Sequence, residues 1–384
     1  MTPPHLLLVV NSDWFFLSHR LPLALAARDA GAEVTIVAGD TGKAREIRDR
    51  GLAFVSLPIS RSGTNPFTDA RTLLFLVGLY RRLRPDLVHH VTVKPIIYGS
   101  LAARLVGGMA IVNAVSGLAY TFSSEELHAR ALRPLVTMLY RLALGDPTSR
   151  TIFQNPNDRD DCVRMRMVQP EQAVLIRGSG VDCDVFRPTP EPEGVPVVML
   201  PARMLWEKGV KEFVEAAAVL GASGHKARFV LVGDSDPGNP GCIPTTQLDA
   251  WARQGIECWG HHTDMASTLA RANMVVLPAY REGLPKVLLE AAACGRAIVT
   301  TDVPGCREIV REGINGLLVP ARDSKSLAAA IARLLRSPDL RERLGRTGRE
   351  IAVREFAVEI VVEKTLALYR ALLGDKWPAS RLPS

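Results

Sequence analysis

The sequence predicts an α/β protein built from two doubly wound parallel sheets, one in each of two domains. Short apolar runs of strand length alternate with helical patterns, and this alternating series occurs twice along the 384 residues. The two series are separated by residues 186–196, whose four prolines are typical of a linker. A chain of this length also exceeds one ordinary domain. We therefore expect an N-terminal domain over residues 1–187 and a second domain over residues 188–363.

The predicted strands are short apolar segments bounded by glycine, proline or polar residues. They lie at residues 6–10, 33–38, 86–90, 111–115 and 151–154 in the first series, and at 197–200, 228–232, 256–259, 274–277, 297–301 and 316–319 in the second. The C-terminal part of the chain is patterned as helix. Ligands of doubly wound sheets bind beyond the carboxyl ends of the strands, so we expect the functional residues there, facing across the cleft between the domains.

The composition is that of an ordinary globular protein, with 47% apolar and 23% charged residues. The six cysteines form no Cys-x-x-Cys pair, which argues against a zinc site or a disulfide framework and favours a reducing, cytoplasmic location. The N-terminus lacks the features of a signal peptide. Residues 105–124 carry no charge, but their glycines, serines and Asn113 favour a strand and a loop over a membrane-spanning helix.

The net charge of +7 is concentrated in one region of the sequence. Residues 61–150 contain eleven Lys/Arg and five Asp/Glu, and two segments there, 73–84 and 127–144, combine arginines with bulky apolar residues. Each segment is either an amphipathic helix that lies on an anionic membrane surface or a core helix with a solvated basic face, and the sequence favours neither. No Lys/Arg run is interleaved with aromatic residues, so we expect no nucleic-acid partner.

The most informative segment of the second domain is residues 277–295. A strand ends near its start and a proline follows in the first turn of a helix, which places Glu282 in the loop and Glu290 in the helix. The backbone N–H groups of Gly283 and Leu284 would stabilise an anion such as a pyrophosphate. Glu290 stands among leucines and alanines and needs hydrogen-bond donors, which the hydroxyl groups of a ligand supply. An equally compatible alternative to a ligand site is that Glu282 caps the helix and that Glu290 is a solvated residue on its surface.

A second candidate site follows the strand at residues 197–200. Arg203 and Lys208 lie between the end of this strand and the next helix. Two cations are poorly placed there for the helix dipole but well placed to bind a phosphate group. Ordinary surface salt bridges are the alternative.

These motifs resemble those of the retaining glycosyltransferases of the large family 4. The resemblance rests on the Glu282-x7-Glu290 pair, on Arg203 with Lys208, and on residues 180–186. It implies the GT-B architecture, in which two Rossmann-like domains face each other and a C-terminal helix, here residues 364–384, crosses back to the first domain. Detailed similarity is to a bacterial subgroup that builds lipid-linked surface glycans such as capsule and O-antigen.

The resemblance also implies roles for individual residues. Arg203 and Lys208 would hold the diphosphate of a nucleotide-sugar donor, expected to be a UDP-sugar, and Glu282 would face the donor sugar near its anomeric carbon. Glu290 would accept the ribose hydroxyl groups, and His261 would lie near the uracil. The transferred group would be a hexosyl or N-acetylhexosaminyl group, and the acceptor a lipid-linked saccharide at the inner face of the cell membrane.

On the acceptor side, residues 11–20 follow the first strand. His19 and Arg20 are candidates to contact an acceptor diphosphate, and the neighbouring aromatic residues offer apolar surface for lipid or sugar. A loop with packed aromatic residues is the equally compatible alternative. Lys94 follows another strand, after His89 and His90. Many members of the family carry a histidine at the position of Ser116, so this chain departs from a histidine-assisted mechanism.

The expected chemistry needs neither a cofactor nor a metal ion. Glycosyl transfer develops negative charge on the departing phosphate, and Arg203, Lys208 and the helix start would stabilise that charge. Three Asp-x-Asp triplets occur, but an aspartate-rich chain meets this pattern by chance, so we expect no metal site.

Other functions remain as alternatives to transfer. A GT-B epimerase acting on sugar nucleotides would share the donor site, and a GT-B phosphorylase would need a pyridoxal-bearing lysine, for which no local signature exists. A non-catalytic GT-B scaffold would have lost the donor ligands, all four of which are present. An NAD-dependent oxidoreductase would need a G-x-G-x-x-G turn after the first strand, and that turn contains no glycine.

Overall fold

The structure, a computed structural model, describes residues 2–60, 65–117 and 127–378. The chain divides into two units, one running to Ser179 and resuming at Val361, the other comprising Gly180–Ile360. Each unit contains one parallel sheet. This confirms the predicted class of two doubly wound α/β domains.

The first unit is built on a seven-stranded sheet with the order β3-β2-β1-β4-β5-β6-β7. Its strands are β1 (His5–Val10), β2 (Glu33–Ala38), β3 (Ala53–Ser56), β4 (Leu87–Val91), β5 (Ala110–Val115), β6 (Arg150–Phe153) and β7 (Ala173–Leu175). Its helices are α1 (Asp13–His19), α2 (Leu21–Asp29), α3 (Ala44–Asp49), α4 (Pro66–Leu83), α5 (Val93–Val106), α6 (Leu127–Leu144) and α7 (Pro156–Arg164).

The second unit contains a six-stranded sheet with the order β10-β9-β8-β11-β12-β13. Its strands are β8 (Val197–Pro201), β9 (Arg228–Val232), β10 (Glu257–Gly260), β11 (Met274–Leu277), β12 (Ala297–Thr301) and β13 (Leu317–Val319). The helices that follow α7 in sequence are α8 (Val210–Ala222), α9 (Thr245–Arg253), α10 (Met265–Ala270), α11 (Lys286–Ala293), α12 (Cys306–Ile309), α13 (Ser324–Arg336), α14 (Pro338–Phe356) and α15 (Val358–Leu373).

The central strands are apolar on both faces because helices cover both faces of each sheet. In β1, Leu6 and Leu8 pack into one core cluster while Leu7 and Val9 pack into another on the opposite face. All eleven predicted strands are present, with ends that differ by a residue. The two additional strands, β3 and β7, lie at the edges of the first sheet.

The predicted linker at residues 186–196 is not a free connection. The Glu191 carboxylate pairs with Arg341 of α14 at 2.8 Å and accepts a hydrogen bond from Asn273, and the buried Arg296 donates to Thr189. Arg349 donates to the carbonyl groups of Phe186, at the start of the segment, and of Cys183, just before it. The segment is therefore anchored to the second unit, and the units separate at residues 179–180 rather than 187–188.

The last helix, α15, contributes to the core of the first unit. Leu366, Tyr369, Leu373 and the following Trp377 pack with residues of β1 and α2. The Lys376 ammonium also pairs with Asp86 at 2.7 Å. The return to the first unit begins at Val361, slightly earlier than the expected residue 364.

Three helices of the first unit lie side by side on one face of its sheet. α5 packs between α4 and α6, and these helices include both basic segments noted in the sequence. None of the described helices combines the length and the apolar character that crossing a bilayer requires. The uncharged stretch 105–124 contributes the end of α5 and strand β5, and its residues 118–124 lie outside the described part of the chain.

Two glycines of α14 test how closely this helix packs. A β-carbon on Gly345 would overlap the carbonyl oxygen of Gly295, whereas a β-carbon on Gly348 would meet its nearest neighbour at 3.7 Å. We expect Gly345→Ala to lower the free energy of unfolding by about 1–3 kcal/mol through overpacking. The matched Gly348→Ala should be neutral or stabilising by about 0.5–1 kcal/mol, because alanine favours the helix. Urea denaturation measures both, and equal effects would contradict the close packing.

Candidate active site

The candidate site lies where the strand order of the second sheet reverses. Strand β8 is flanked by β9 on one side and by β11 on the other, so the connections leave its carboxyl end in opposite directions. A crevice forms at such a point in doubly wound sheets and commonly binds ligands. Lys208 follows β8 and Glu282 follows β11, which brings two residues 74 positions apart to the same place.

Lys208 and Glu282 form a direct ion pair. The Lys208 Nζ donates to the Glu282 Oε1 at 2.5 Å, and each side chain is mostly buried. Lys208 ends a single 3-10 turn, and Gly209 follows with a φ of +72°. A β-carbon on Gly209 would overlap the carbonyl group of Pro278. The glycine thus allows the lysine turn to approach the end of β11 closely.

The loop that carries Glu282 is held on several sides. The Tyr280 N–H donates to the Glu207 carbonyl at 2.9 Å, and the Thr301 hydroxyl donates to the Ala279 carbonyl. Gly305, with a φ of +83°, packs so closely behind the carbonyl groups of residues 282 and 283 that a β-carbon would overlap them. The position of the Glu282 backbone is therefore fixed by the packing around it.

Arg203, the second predicted cation, has a different partner. Its guanidinium pairs with Asp236 at 2.8 Å, and its side chain is 45% exposed. Asp236 belongs to one of the three Asp-x-Asp triplets, and Asp182 of another accepts hydrogen bonds from two backbone N–H groups of its own turn. Across the described residues, no group of three or more His, Cys, Asp or Glu side chains is arranged to hold a metal ion.

Glu290 is buried in α11 rather than solvated. Its side chain pairs with Lys286 at 3.1 Å. Burial raises the pKa of the Glu290 carboxyl above its ordinary value, and Lys286 partly opposes this shift. The helix starts at Lys286, so Gly283 and Leu284 lie in the loop ahead of it rather than in its first turn. Of the predicted donor residues, the structure joins Lys208 directly to Glu282, while Arg203 and Glu290 pair elsewhere.

His261, the remaining predicted donor residue, is exposed in the loop after β10. β10 is the edge strand of the sheet, separated from β8 by β9. His261 therefore follows a strand at the same edge as the ion pair, two strands away from it.

The predicted acceptor residues follow three neighbouring strands of the first sheet. His19 and Arg20 come after β1, Lys94 after β4, and Ser116 after β5, and these strands are adjacent. The Lys94 ammonium pairs with Asp69 at 2.9 Å, and both side chains are mostly buried. The His19 ring stacks on Phe15 with centroids 4.2 Å apart, and Arg20 is buried.

The two histidines of β4 are buried and hydrogen-bonded within the first unit. The His90 Nε2 accepts a hydrogen bond from the Tyr80 hydroxyl at 2.9 Å, and Nδ1 lies 3.0 Å from the Asn113 Oδ1. Burial lowers the pKa of His90 to about 4, so the ring is neutral at neutral pH. His89 bonds to Tyr369 of α15 at 2.5 Å and is equally buried. Neither ring is placed for catalysis.

Sequence reasoning missed a pair of residues beside the ion pair. The Tyr280 hydroxyl donates to the Glu212 Oε1 at 2.7 Å, and the Arg322 guanidinium lies over the Tyr280 ring at 4.7 Å. Glu212 is 7% exposed, and its Oε2 has no hydrogen-bond partner. Burial, reinforced by the Glu212 carboxylate, raises the pKa of the Tyr280 hydroxyl, which therefore remains a donor. A glutamate in the first turn of a helix is ordinary, so no pattern identified Glu212.

Comparison with known proteins agrees with this geometry. Two family models match the chain, one described as "Glycosyl transferase 4-like" over residues 5–154 and one as "Glycosyl transferases group 1" over residues 195–337. Among solved structures, sucrose-phosphate synthase from Thermosynechococcus elongatus superposes with a TM-score of 0.82 at 21% identity, covering 96% of this chain and 99% of that one. The fold class is GT-B.

Curated relatives match along nearly the whole chain. The N,N'-diacetylbacillosaminyl-diphospho-undecaprenol alpha-1,3-N-acetylgalactosaminyltransferase of Campylobacter jejuni is 29% identical, covering 94% of this chain and 99% of the relative. The UDP-Gal:alpha-D-GlcNAc-diphosphoundecaprenol alpha-1,3-galactosyltransferase of Escherichia coli is 24% identical, covering 90% of each chain. The two matched domains and the fold thus define a two-domain glycosyltransferase. The chain carries a glycosyl transferase 4-like domain in its N-terminal half and a group 1 glycosyl transferase domain in its C-terminal half.

The Glu212–Tyr280 pair provides a test of how the loop positions Glu282. Tyr280→Phe removes the hydroxyl and leaves a buried carboxylate without its donor, so we expect kcat to fall by about 10- to 100-fold through loss of positioning. The control is Glu212→Gln, whose amide oxygen still accepts the hydrogen bond and should retain near-normal turnover. Steady-state rates of glycosyl transfer measure both variants. A Tyr280→Phe enzyme with normal kcat would show that this pair does not position the loop.

Proposed function

We propose that this glycosyltransferase moves a hexosyl or N-acetylhexosaminyl group from a UDP-sugar to a lipid-linked saccharide acceptor, with retention of anomeric configuration, in bacterial surface polysaccharide synthesis. The main observation in support of this donor site is the Lys208–Glu282 ion pair, which lies where the strand order of the second sheet reverses. Support for the acceptor class comes from the relatives, two of which are named for transfer to undecaprenyl-diphosphate-linked sugars. One of those names specifies a UDP-linked donor.

In the proposed reaction, the bond between the anomeric carbon and the phosphate oxygen breaks, the acceptor hydroxyl oxygen bonds to that carbon, and the hydroxyl proton passes to an oxygen of the departing diphosphate. Negative charge then grows on the departing diphosphate. An ammonium group has three N–H donors, so Lys208 can bind a phosphate oxygen while it keeps Glu282 as a partner. The half-exposed Arg203 retains further N–H donors beyond its contact with Asp236. Both cations stabilise the leaving group by their charge and do not themselves donate a proton.

Glu282 and Glu290 take different roles in this proposal. Glu282, held by Lys208 in a fixed loop, faces the donor sugar and keeps its carboxylate available to hydroxyl groups near the reacting carbon. Glu290 is buried in α11 with a raised pKa, and ribose hydroxyl groups would supply the hydrogen-bond donors that a buried carboxylate needs. Gly283 and Leu284 add backbone N–H groups next to the diphosphate, and His261 contacts the base. No cofactor or metal ion is required in this scheme.

Lys208→Ala tests the donor site. Removing one preorganised electrostatic donor should lower kcat by about 100- to 1000-fold. The matched control is Lys211→Ala, which removes the same charge from an exposed position on α8, paired with Glu215 at 3.7 Å, and should leave turnover unchanged. The assay is acceptor-dependent UDP release from a panel of UDP-sugars. Normal turnover in Lys208→Ala would overturn the site, and formation of an epimer without UDP release would favour an epimerase.

The first unit presents a surface suited to an anionic membrane, where a lipid-linked acceptor resides. Helices α4, α5 and α6 carry eight Lys/Arg and one acid, Asp69, which is itself paired with Lys94. On α4, Phe67, Arg71, Leu74 and Arg81 share one outward face, as their spacing requires.

The described part of α6 adds an exposed apolar stripe to this surface. Leu135, Met138 and Leu142 follow one another at intervals of three and four residues, and all are exposed. Arg141 lies beside them, and Leu105 at the end of α5 is also exposed. Apolar side chains ringed by arginines fit a bilayer of anionic lipids, which attracts basic residues and takes up apolar ones. We propose that this surface docks the enzyme on the inner face of the cell membrane.

A vesicle flotation assay tests the membrane surface. Leu135→Glu places a like charge among the lipid headgroups and removes apolar contact, so partitioning onto vesicles of phosphatidylglycerol and phosphatidylcholine should fall by about tenfold. The control is Ile314→Glu in the second unit, whose side chain is 52% exposed compared with 50% for Leu135. Binding should also weaken with added salt and be weak on phosphatidylcholine alone. Equal flotation of both variants would contradict the assignment.

A further inference from the structure

One buried charge in the first unit has no counter-charge. In the described part of the chain three arginines are buried, namely Arg20, Arg296 and Arg341. Arg341 pairs with a glutamate, and Arg296 donates to several backbone carbonyl groups. Arg20 is 6% exposed, its Nε is enclosed without an acceptor, and its guanidinium forms no hydrogen bond or ion pair with any described residue.

The charge on Arg20 persists despite this burial. Desolvation lowers its pKa to about 10, so the guanidinium is still protonated at neutral pH. Proteins rarely retain an isolated buried charge, because its loss of hydration is not repaid by any partner. Arg296 and Arg341 show how this same chain satisfies a buried guanidinium when the role is structural. The missing acceptor at Arg20 therefore points to a ligand.

The neighbours of Arg20 are neutral donors rather than anions. The Tyr369 hydroxyl bonds to the His89 Nδ1, and both side chains are fully enclosed. Burial, with the nearby Arg20 charge, lowers the pKa of His89, and burial raises that of Tyr369, so neither carries charge at neutral pH. The His89 Nε2 is also buried without a partner. When Tyr369 donates to Nδ1, this second nitrogen carries a hydrogen and is a further donor without an acceptor.

Arg20 also belongs to the connection that leaves the carboxyl end of β1, and ligands of such sheets bind at that end. It directly follows α1, which leaves the carboxyl end of β1, and β1 is a central strand of the first sheet. Its backbone is fixed, because its N–H donates to the Phe16 carbonyl at 2.8 Å. Tyr369 of the C-terminal helix α15 lies close enough to Arg20 to interact with its charge. A protonated guanidinium that lacks an acceptor binds oxyanions such as phosphate strongly.

We propose that Arg20 binds a phosphate group of the acceptor's diphosphate, and that the hydrogen-bonded His89 and Tyr369 of α15 form the neutral surroundings of its guanidinium. This inference rests on the proposed function, since it assumes a lipid-diphosphate acceptor. The donor diphosphate already has Arg203 and Lys208 of the second unit, whereas the Arg20 guanidinium belongs to the first unit and has no other described partner.

The decisive variant is Arg20→Met, which keeps the length of the side chain and removes the charge. If Arg20 is kept for a ligand, its removal should raise Tm, because a buried unpaired charge is replaced by an apolar group. The KM for a lipid-diphosphate-linked saccharide should rise by about 100-fold, the scale expected when one partner of a buried charged pair is lost. The KM for the UDP-sugar should not change.

Arg296→Met is the matched control for stability. It removes a buried arginine whose donors are satisfied, and it leaves the carbonyl groups of Leu269 and Ala270 without those donors. We therefore expect its Tm to fall, opposite in sign to Arg20→Met. Tyr369→Phe, which retains the guanidinium and removes the neighbouring hydroxyl that bonds to His89, should raise the acceptor KM by about tenfold with an unchanged UDP-sugar KM.

A binding measurement separates this inference from the proposed function. In a Lys208→Ala background, which weakens the donor site, inorganic pyrophosphate should raise Tm, and adding Arg20→Met should remove that shift. A shift that survives Arg20→Met overturns the inference even when no turnover is found.

Two further results for Arg20→Met would overturn the proposal. A raised KM for the UDP-sugar would assign Arg20 to the donor phosphate instead, and a lower Tm with unchanged KM values would make Arg20 structural. Absence of acceptor-dependent UDP release by the unsubstituted enzyme overturns the proposed function alone.

Discussion

The ion pair between Lys208 and Glu282 is the constraint on which the candidate site depends. It requires two segments that are far apart in sequence to meet, and the reversal of strand order at β8 brings them together. Gly209 makes the approach close enough, because any side chain there would overlap the carbonyl group at the end of β11. The pair therefore follows from the topology of the sheet and from one glycine, and in the proposed reaction it supplies charge that is already held in place.

A preorganised pair of this kind matters because the transition state of glycosyl transfer develops charge on the departing group. Electrostatic stabilisation costs least when the charged groups need no rearrangement. Here the lysine turn and the glutamate loop are joined through the backbone of Tyr280 and Glu207, and through the buried Tyr280–Glu212 hydrogen bond. The packing of the second unit thus holds the Lys208 ammonium and the Glu282 carboxylate in a fixed position relative to each other.

The fold was largely predictable from the sequence, because central strands buried on both faces appear as continuous apolar runs. The missed strands, β3 and β7, are short edge strands without fully buried runs, so periodicity does not reveal them. The segment 186–196 has the composition of a linker, yet its anchors, Arg341 and Arg296, lie far along the chain. In the site, the residue types of Lys208 and Glu282 were predictable, but the partner of Arg203 was not, since contact with Asp236 depends on loop geometry.

The two units use arginine in opposite ways, and this contrast carries information about function. In the second unit, Arg341 and Arg296 anchor the segment 186–196. Their guanidinium groups donate hydrogen bonds to acceptors within the protein. In the first unit, Arg20 is similarly buried, but its neighbours His89 and Tyr369 are neutral. Since folding alone would favour an apolar side chain at that position, the charge there is best explained by an anion that the protein itself does not supply.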